Sequence, residues 1–461
     1  GYAPTDSIGQ AGVESTYDSY LRGVDGTAKR RLDALGRPRS ALEVTKQPAV
    51  GQNVRLTISL PLQKAAEKAL QDGIAFAQAD GQWAARGGAI VALDPSDGSI
   101  LAMASAPTYK PSVYAGRVTQ KALAAQGLTK KTAEASNYPS LDRATMATYP
   151  PGSTFKPVTA IAAMQEHLIS PYADLPCTAT YVSPDDKSNH PFHNWDPNVD
   201  QQMDLPTALA YSCDTYFYQV GNMFYELRGD RGQPLQQWSR KFGFGALSGL
   251  DVGPEARGLV PTSAWRKQQY SRKRDPCCWQ VDQLWKPGNS IQLAIGQGDL
   301  LVTPLQMARF YALIANGGEL VTPHVLRDVE SANGQAVPTP ALPNPTQVAV
   351  DPAAIQVVRQ GLWEATHMTF GTSYPVFGRF PVSIAGKTGT AEKVVQLPGY
   401  LGTKDQSWWC GYGPTDDPKL VVCAVIENGG HGGTAAAPAA AEVFASFFHV
   451  KVKSTTSHHS D

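Results

Sequence analysis

The sequence predicts an α+β fold in which helices cover both faces of an antiparallel sheet. Two patterns predict the strands. The segment AIVALDPSDGSILAMAS, near Gly87, places turn residues between two apolar runs, as the first hairpin of such a sheet does. Strand patterns return at residues 380–390, 406–413 and 419–427, after a middle region of helical patterns and before a closing helix through AAAEVFASFFHV. This order of elements indicates one main α+β domain.

The first 80 residues have a different pattern from the remainder. Asn53–Leu60 alternates apolar and polar residues, which indicates a short strand, and an amphipathic helix is expected from Leu62 to about Ala75. We therefore predict three regions, which are an N-terminal segment at 1–80, a main domain at 81–450 and a polar tail at 451–461 that we expect to be disordered.

Composition excludes little by itself. With 461 residues, the chain is long enough for a well-buried core and for two or more domains. Lys and Arg number 40 and Asp and Glu number 40, so the formal net charge is zero and no nucleic-acid partner is expected. The 42 glycines and 35 prolines indicate many loops. The sequence contains no apolar run of membrane-spanning length and no signal peptide.

Three short strings carry most of the functional information. They are Ser153-Thr-Phe-Lys156 in YPPGSTFKP, Ser212-Cys-Asp214 in YSCDTYFYQ and Lys387-Thr-Gly-Thr390 in IAGKTGTAEK. A serine hydroxyl is a poor nucleophile until a base removes its proton, and a lysine three residues further along a helix lies on the same face. Ser153 and Lys156 have that spacing, and the preceding Pro-Pro-Gly indicates a helix start. The sequence therefore predicts a serine nucleophile with a lysine base.

The other two strings would complete the site. Small residues in the third string would let a strand edge approach a ligand closely, and its two threonine hydroxyls would hold a carboxylate. The N–H groups of Thr390 and Ser153 would form an oxyanion hole, and Lys387 would supply positive charge. Ser212 would bring a second hydroxyl to the leaving group and, with Lys387, would pass a proton to it. The predicted catalytic residues are Ser153, Lys156, Ser212, Asp214 and Lys387, and the predicted substrate-binding residues are Thr388, Gly389 and Thr390.

The ordered set of strings is far more specific than any one of them, since a chain of this length holds about one S-x-x-K by chance. The set resembles that of the penicilloyl-serine transferases, which comprise penicillin-binding proteins and serine β-lactamases. The segments GVESTYDSYLRG, GGAIVALDPSDGSILAMASAPTY, IGQGDLLVTPLQMARFYALIANGG and VIENGG make the chain similar to a class B penicillin-binding protein. Asp214, where most relatives have asparagine, resembles the rod-elongation type, penicillin-binding protein 2.

The resemblance implies a fold and an activity. The fold would be the penicillin-binding/serine β-lactamase-like transpeptidase domain with part of an N-terminal pedestal at residues 1–80. The activity would be peptidoglycan D,D-transpeptidation during cell-wall elongation. Ser153 would attack the penultimate D-Ala carbonyl of a stem peptide, a neighbouring strand's amine would accept the acyl group, and β-lactams would trap the serine. No cofactor would be required for catalysis.

The resemblance also implies a location and partners. Relatives carry an N-terminal membrane anchor, so we expect the natural protein to have a single-pass anchor upstream of this sequence and an extracytoplasmic catalytic domain. Its partners would be the stem peptides of a lipid-linked precursor, a glycosyltransferase of the SEDS family and other elongation-complex proteins.

Two other classes of function stay open. A class D β-lactamase or β-lactam sensor domain also has S-T-F-K and K-T-G, but it has an apolar residue where this chain has Asp214 and lacks the N-terminal region. Rapid drug hydrolysis would favour the lactamase. Alternatively, the chain is mainly a scaffold that activates the SEDS glycosyltransferase, and full cellular function of a Ser153→Ala variant would favour that hypothesis.

An insertion between the first two strings contains possible metal ligands. Cys177, His193, Asp200 and Cys213 offer thiolate, imidazole and carboxylate groups, and four such groups can form a closed tetrahedral zinc site. Some rod-elongation relatives have zinc at matching positions, so the resemblance implies a structural zinc ion here. The rival ligands are His190 and Asp196. The alternative is a pair of buried cysteines with solvent-exposed histidines.

The remaining cysteines form two pairs in the sequence. Cys410 and Cys423 lie symmetrically about a predicted turn, so they would face each other across a hairpin and could form a disulfide or stay as packed thiols. Cys277 and Cys278 are adjacent in a Trp-rich basic loop, and nothing in the sequence assigns them a chemical role.

Overall fold

The computed structural model of the chain describes residues 8–227, 232–397 and 400–452. Most of the predicted disordered tail, residues 453–461, lies outside the described residues. The helices are α1 (Gly12–Thr16), α2 (Asp18–Leu21), α3 (Leu60–Ala79), α4 (Gln120–Ala125), α5 (Lys156–Gln165), α6 (Leu205–Tyr211), α7 (Asp214–Glu226), α8 (Pro234–Lys241), α9 (Ser263–Gln269), α10 (Trp279–Asp282), α11 (Pro287–Ala294), α12 (Pro304–Asn316), α13 (Pro352–His367), α14 (Tyr374–Phe377) and α15 (Ala436–Phe447), with 3₁₀ turns at Pro111–Tyr114 and Gly152–Phe155. The strands are β1 (Thr27–Lys29), β2 (Glu43–Lys46), β3 (Asn53–Leu56), β4 (Gly88–Leu93), β5 (Ile100–Ala106), β6 (Leu175–Thr178), β7 (Thr180–Val182), β8 (Pro191–His193), β9 (Asp200–Met203), β10 (Glu319–Leu320), β11 (Leu326–Glu330), β12 (Ala336–Val337), β13 (Thr346–Gln347), β14 (Ala385–Leu397), β15 (Tyr400–Gly413) and β16 (Leu420–Ile426).

The main sheet has five antiparallel strands in the order β14-β15-β16-β4-β5. The predicted hairpin therefore forms β4 and β5, and the three late strands complete the same sheet. Alternate residues of β4 enter two separate apolar cores, because successive side chains of a strand point to opposite faces. Val91 packs in one core with residues of α12, and Ile90 packs in the other with residues of α3 and α15. The predicted α+β fold with helices on both faces is confirmed.

Helix α3 begins and ends outside the predicted bounds, at Leu60 and Ala79. Its buried residues recur at helical spacing, which fits the predicted amphipathic pattern. The helix packs on α15 at Gly73, where an added Cβ would lie 3.1 Å from the Cβ of Ala439. Although α3 belongs to the predicted N-terminal segment, it packs on the main sheet. The boundary at residue 80 stays a prediction.

A carboxyl cluster on α3 and α15 makes the stability of the fold depend on pH. Burial, followed by the neighbouring Asp72, raises the pKa of Glu442 to about 7. Because the folded protein keeps a proton that the unfolded chain releases above its ordinary pKa of 4.5, the folded state loses stability as pH rises from 4.5 through about 7.

We therefore predict that Glu442→Gln, which mimics the neutral acid, raises the melting temperature at pH 8 and leaves it unchanged at pH 4. The side chain of Glu442 is 23% exposed. Solvent screening consequently reduces the expected gain in the free energy of unfolding to about 1 kcal/mol. This corresponds to a rise of roughly 2 °C in the melting temperature. Differential scanning calorimetry at the two pH values tests this, with Glu67→Gln on the exposed side of α3 as control. An equal shift at both pH values would contradict it.

The N-terminal segment contributes to two small sheets. Strands β1 and β2 pair with each other, and β3 pairs with β11, which lies beside β12. Strand β3 ends at Leu56, four residues before the predicted end, because Leu60 already belongs to α3 and is followed by a proline in the first helical turn. In the described ranges, none of the helices has both the length and the apolarity to cross a bilayer.

The two cysteine pairs outside the insertion are disulfides. Cys410 and Cys423 occupy directly opposed positions of β15 and β16, as the hairpin pattern predicts, and they are joined. The adjacent residues Cys277 and Cys278 are also joined, at the surface.

Candidate active site

The predicted nucleophile lies in the 3₁₀ turn that precedes α5. Ser153 and Lys156 still share a face, because side chains three residues apart eclipse each other in a 3₁₀ turn. The turn is fixed from both sides by backbone contacts. Gly152 donates its N–H to the carbonyl of Gly296 at 2.9 Å, and a Cβ on Gly152 would lie 2.5 Å from the carbonyl oxygen of Thr390. Glycine at position 152, with φ of +56°, is therefore required for this close approach.

Lys156 joins the first string to the second. Its side chain is fully buried, and its Nζ donates to the carbonyl oxygen of Ser212 at 2.7 Å and to Ser212 Oγ at 3.1 Å. The same Nζ lies 2.8 Å from Asp214 Oδ1, which forms an ion pair. The lysine predicted as a base thus contacts the serine predicted to carry a proton to the leaving group.

The second string lies where α6 ends and α7 begins. Ser212 has φ of +62° and ψ of 35°, in the left-handed region, between Tyr211 at the end of α6 and Asp214 at the start of α7. A non-glycine residue in this region is strained, and such strain clusters at functional sites. The strained turn brings both the hydroxyl of Ser212 and the carboxylate of Asp214 within hydrogen-bond distance of Lys156 Nζ.

The third string lies on β14, an edge strand of the main sheet, as predicted. Lys387 is buried, and its Nζ donates to the carbonyl oxygen of Thr388 at 3.1 Å. The hydroxyl of Thr388 is buried and donates to Thr372 Oγ1 at 2.7 Å, whereas Thr390 lines the cavity described below. A Cβ on Gly389 would lie 3.0 Å from Thr154 N, so glycine lets β14 approach the nucleophile's turn.

A cavity of about 810 Å³ opens over these strings. Ser153, Asp214 and Thr390 line it, so all three strings meet at one depression. The opposite wall comes from the insertion, through residues His190 to Trp195, and a third side comes from the β14–β15 hairpin. Large concave cavities with a few convergent polar groups are the usual form of a binding site.

The insertion also contacts the second string directly, which sequence reasoning missed. Asn194 Oδ1 accepts a hydrogen bond from the N–H of Asp214 at 2.7 Å, and the N–H of Trp195 donates to Asp214 Oδ2 at 3.1 Å. The indole of Trp195 donates to the carbonyl oxygen of Tyr211 at 3.2 Å. The phenol of Tyr211 donates to Asp196, and this hydrogen bond lowers the pKa of Asp196. The side chain of Asn194 in the string HNWD was the available signal, whereas the backbone N–H of Trp195 gives none.

The predicted zinc ligands do not fit a zinc ion in this arrangement. Cys177 and Cys213 are fully buried and joined as a disulfide, and disulfide sulfurs are not the thiolates that zinc requires. His193 and Asp200 are exposed on β8 and β9. Among the described residues, the one group of three or more His, Cys, Asp or Glu side chains with ligand atoms within 4.8 Å is Asp275, Cys277 and Cys278. The zinc site stays a prediction that needs the reduced cysteines.

Two family models match separate parts of the chain. The family model for the penicillin-binding protein transpeptidase domain matches residues 88–446, and the one for the penicillin-binding protein dimerisation domain matches residues 1–56. The peptidoglycan D,D-transpeptidase MrdA of Haemophilus influenzae is 32% identical over 451 residues, which are 96% of this chain and 63% of that relative. The chain thus spans slightly less than two thirds of this relative's length.

Two solved structures are also similar. One is a chain of a peptidoglycan synthase complex that coordinates polymerization and crosslinking, with a TM-score of 0.81, 35% identity and coverage of 98% of this chain and 72% of that chain. The other is Pseudomonas aeruginosa PBP2 in complex with WCK 5153, with a TM-score of 0.74, 31% identity and coverage of 98% and 87%. Since the transpeptidase model matches most of the chain and its relatives include MrdA and PBP2, this chain belongs to the penicillin-binding protein transpeptidase family.

Proposed function

We propose that this chain is the catalytic part of a peptidoglycan D,D-transpeptidase that cross-links stem peptides through an acyl-serine intermediate during cell-wall elongation. One observation carries the proposal. Lys156 Nζ lies 3.1 Å from Ser212 Oγ and 2.8 Å from Asp214 Oδ1, beneath a cavity lined by Ser153 and Thr390. A nucleophile, a buried lysine, a second hydroxyl and an oxyanion site therefore converge, as acyl transfer to serine requires.

In the first step, Ser153 Oγ attacks the carbonyl carbon of the penultimate D-Ala. Lys156 first passes its ammonium proton to the carboxylate of Asp214, its ion-pair partner, and as the free amine then takes the hydroxyl proton while the carbonyl oxygen gains negative charge. The N–H groups of Ser153 and Thr390 stabilise that charge, because preorganised donors cost no reorganisation when the charge develops.

In the second step, the bond to the terminal D-Ala breaks. Ser212 Oγ relays the proton from Lys156 to the departing amine, and the positive charge of Lys387 attracts the terminal carboxylate. Thr390 at the cavity wall contributes a hydroxyl to the same carboxylate. The amine of a neighbouring stem peptide then attacks the carbonyl carbon of the acyl-serine. The ester bond to Ser153 Oγ breaks, the proton of the amine returns through Lys156 to Ser153, and the new amide bond is the cross-link. A β-lactam would acylate Ser153 in the same way.

Exchange of the terminal D-Ala tests this function. The purified chain is incubated with a pentapeptide ending in D-Ala-D-Ala and with a D-amino acid as acceptor, and products are measured by mass spectrometry. We expect released D-Ala and a peptide that carries the acceptor at its end, with a peptide ending in L-Ala-L-Ala as control. Hydrolysis of penicillin without peptide turnover would instead identify a β-lactamase, and no reaction with either would favour a scaffold.

We further propose that the natural protein is anchored in the cell membrane with this part outside the cytoplasm, where it acts on the peptides of a lipid-linked precursor. Its proposed partners are a SEDS-family glycosyltransferase and other elongation-complex proteins. The match of residues 1–56 to a dimerisation domain and the similarity to a chain of a peptidoglycan synthase complex support this. A structural zinc ion is proposed only for the reduced chain, and no catalytic step depends on it.

A further inference from the structure

Two hydrogen-bond donors from different parts of the chain converge on the carboxylate of Asp214. Lys156 Nζ donates to Oδ1 at 2.8 Å, and the N–H of Trp195 donates to Oδ2 at 3.1 Å. An ammonium group and a backbone N–H can only donate. Both oxygens of Asp214 therefore serve as acceptors, and only 13% of its side chain is exposed.

Asparagine has the shape of aspartate but only one acceptor. Its NH₂ group would face either Lys156 or the N–H of Trp195, and a buried donor without an acceptor costs free energy. The charged donor forms the stronger hydrogen bond, so the amide oxygen would turn toward Lys156 and the N–H of Trp195 would lose its partner. The second contact exists because the insertion brings Trp195 to this position.

The insertion holds the second string on both sides of the strained residue Ser212. Asn194, which is 6% exposed, accepts from the first N–H of α7 through Oδ1 and donates to the carbonyl oxygen of Asp196 through Nδ2 at 3.1 Å. The indole of Trp195 holds the carbonyl of Tyr211, directly before Ser212. The N–H of Asp214 and the carbonyl of Tyr211 are thus both fixed from the insertion.

We propose that Asn194 and Trp195 are positioning residues for acyl transfer, and that their contacts make a carboxylate at position 214 obligatory in this chain. They fix Asp214, which in turn fixes Lys156 between Ser212 and the nucleophile's turn. The inference rests on the proposed function for its kinetic consequence, but the hydrogen-bond arrangement can be tested without any activity.

The first test is Asp214→Asn, which keeps the shape of the side chain and replaces one acceptor oxygen with a donor. We expect the rate constant for acylation by a fluorescent penicillin at saturation to fall about tenfold or more, with little change in the noncovalent dissociation constant. Stopped-flow fluorescence separates the two quantities. A rate constant within twofold of wild type would overturn the requirement for a carboxylate.

The second test is Asn194→Ala, matched with Gln202→Ala, an exposed amide in the same insertion. We expect the acylation rate constant to fall about tenfold in the first variant and to stay at the wild-type value in the second. A lower melting temperature of Asn194→Ala with an unchanged rate constant at 25 °C would show a purely structural role and overturn the proposal.

The third test measures hydrogen exchange of the Trp195 amide, which needs no catalysis. We expect faster exchange in Asp214→Asn than in wild type. In Lys156→Met/Asp214→Asn the single amide oxygen is free for Trp195, so slow exchange should return. Equal exchange in wild type and Asp214→Asn would overturn the proposal. Failure of the wild type to form any penicillin adduct would count against the proposed function alone, since this exchange pattern is independent of it.

Discussion

Ser153→Ala should abolish the covalent adduct that a fluorescent penicillin forms with the chain, whereas Ser212→Ala should keep an adduct on Ser153 that forms more slowly. Alanine at position 153 removes the atom that attacks the carbonyl, and no rearrangement of the neighbouring groups replaces it. We expect the adduct to fall below detection in intact-protein mass spectrometry under denaturing conditions, with the exposed Ser112→Ala as control.

The assignment of Ser153 as the nucleophile depends on its access to the cavity as well as on contact with Lys156. Lys156 donates to both the carbonyl and the hydroxyl of Ser212, so proximity alone would make Ser212 a rival nucleophile. Ser212, however, is fully buried, whereas Ser153 lines the cavity and keeps 5% of its surface exposed. An adduct that survives Ser153→Ala and disappears in Ser212→Ala would reverse the two roles.

The sequence predicted the sheet well where both faces are buried and poorly where both faces are polar. Strands β4 and β16 have apolar residues throughout, because helices cover both faces, and their positions were predicted closely. Strand β14 was expected at 380–390 but spans Ala385–Leu397. Its second half pairs with the polar start of β15 as a ribbon that projects beside the cavity, and such a ribbon lacks the apolar alternation that identifies strands.

The contacts within the site were predictable only in part. The spacing of Ser153 and Lys156 predicts that the two side chains share a face, but it does not predict the contact of Lys156 with Ser212 and Asp214. The contacts of Trp195 with Asp214 were not predictable, since a backbone N–H carries no residue-specific signal and the pair is separated by 19 residues. Cysteine type could not decide between metal and disulfide, because the same thiols serve both.

Arg143→Met should lower the free energy of unfolding by about 3–5 kcal/mol, because it leaves a carboxylate largely buried without its cation. Arg143 is 1% exposed, and its Nε lies 3.0 Å from Glu427 Oε1. Its guanidinium also donates to the carbonyl oxygen of Asn137 at 2.7 Å. Urea denaturation measures the loss, with the exposed Arg272→Met as control.

The double variant Arg143→Met/Glu427→Gln should recover a large part of that stability. Glutamine carries no charge, and its oxygen can still accept the hydrogen bond that the phenol of Tyr149 donates to Glu427 at 2.8 Å. Burial, followed by Glu427, raises the pKa of Tyr149 well above its ordinary value, so the phenol remains a donor in both proteins. If the double variant were no more stable than Arg143→Met, the loss would come from the guanidinium's backbone contacts instead of the unpaired carboxylate.

The contacts among Arg143, Glu427 and Tyr149 affect catalysis through the residues that follow Tyr149 in the chain. Tyr149 immediately precedes the Pro-Pro-Gly of the nucleophile's turn, and its ring contacts Trp408 edge to face. The indole of Trp408 donates to the carbonyl oxygen of Pro150 at 3.0 Å. Arg143→Met should therefore slow penicillin acylation even at temperatures where the variant stays folded, and the double variant, which keeps the acceptor for Tyr149, should regain acylation together with stability. Recovery of stability without recovery of acylation would show that the charge of Glu427 itself, and not only its hydrogen bond, positions the turn that carries Ser153.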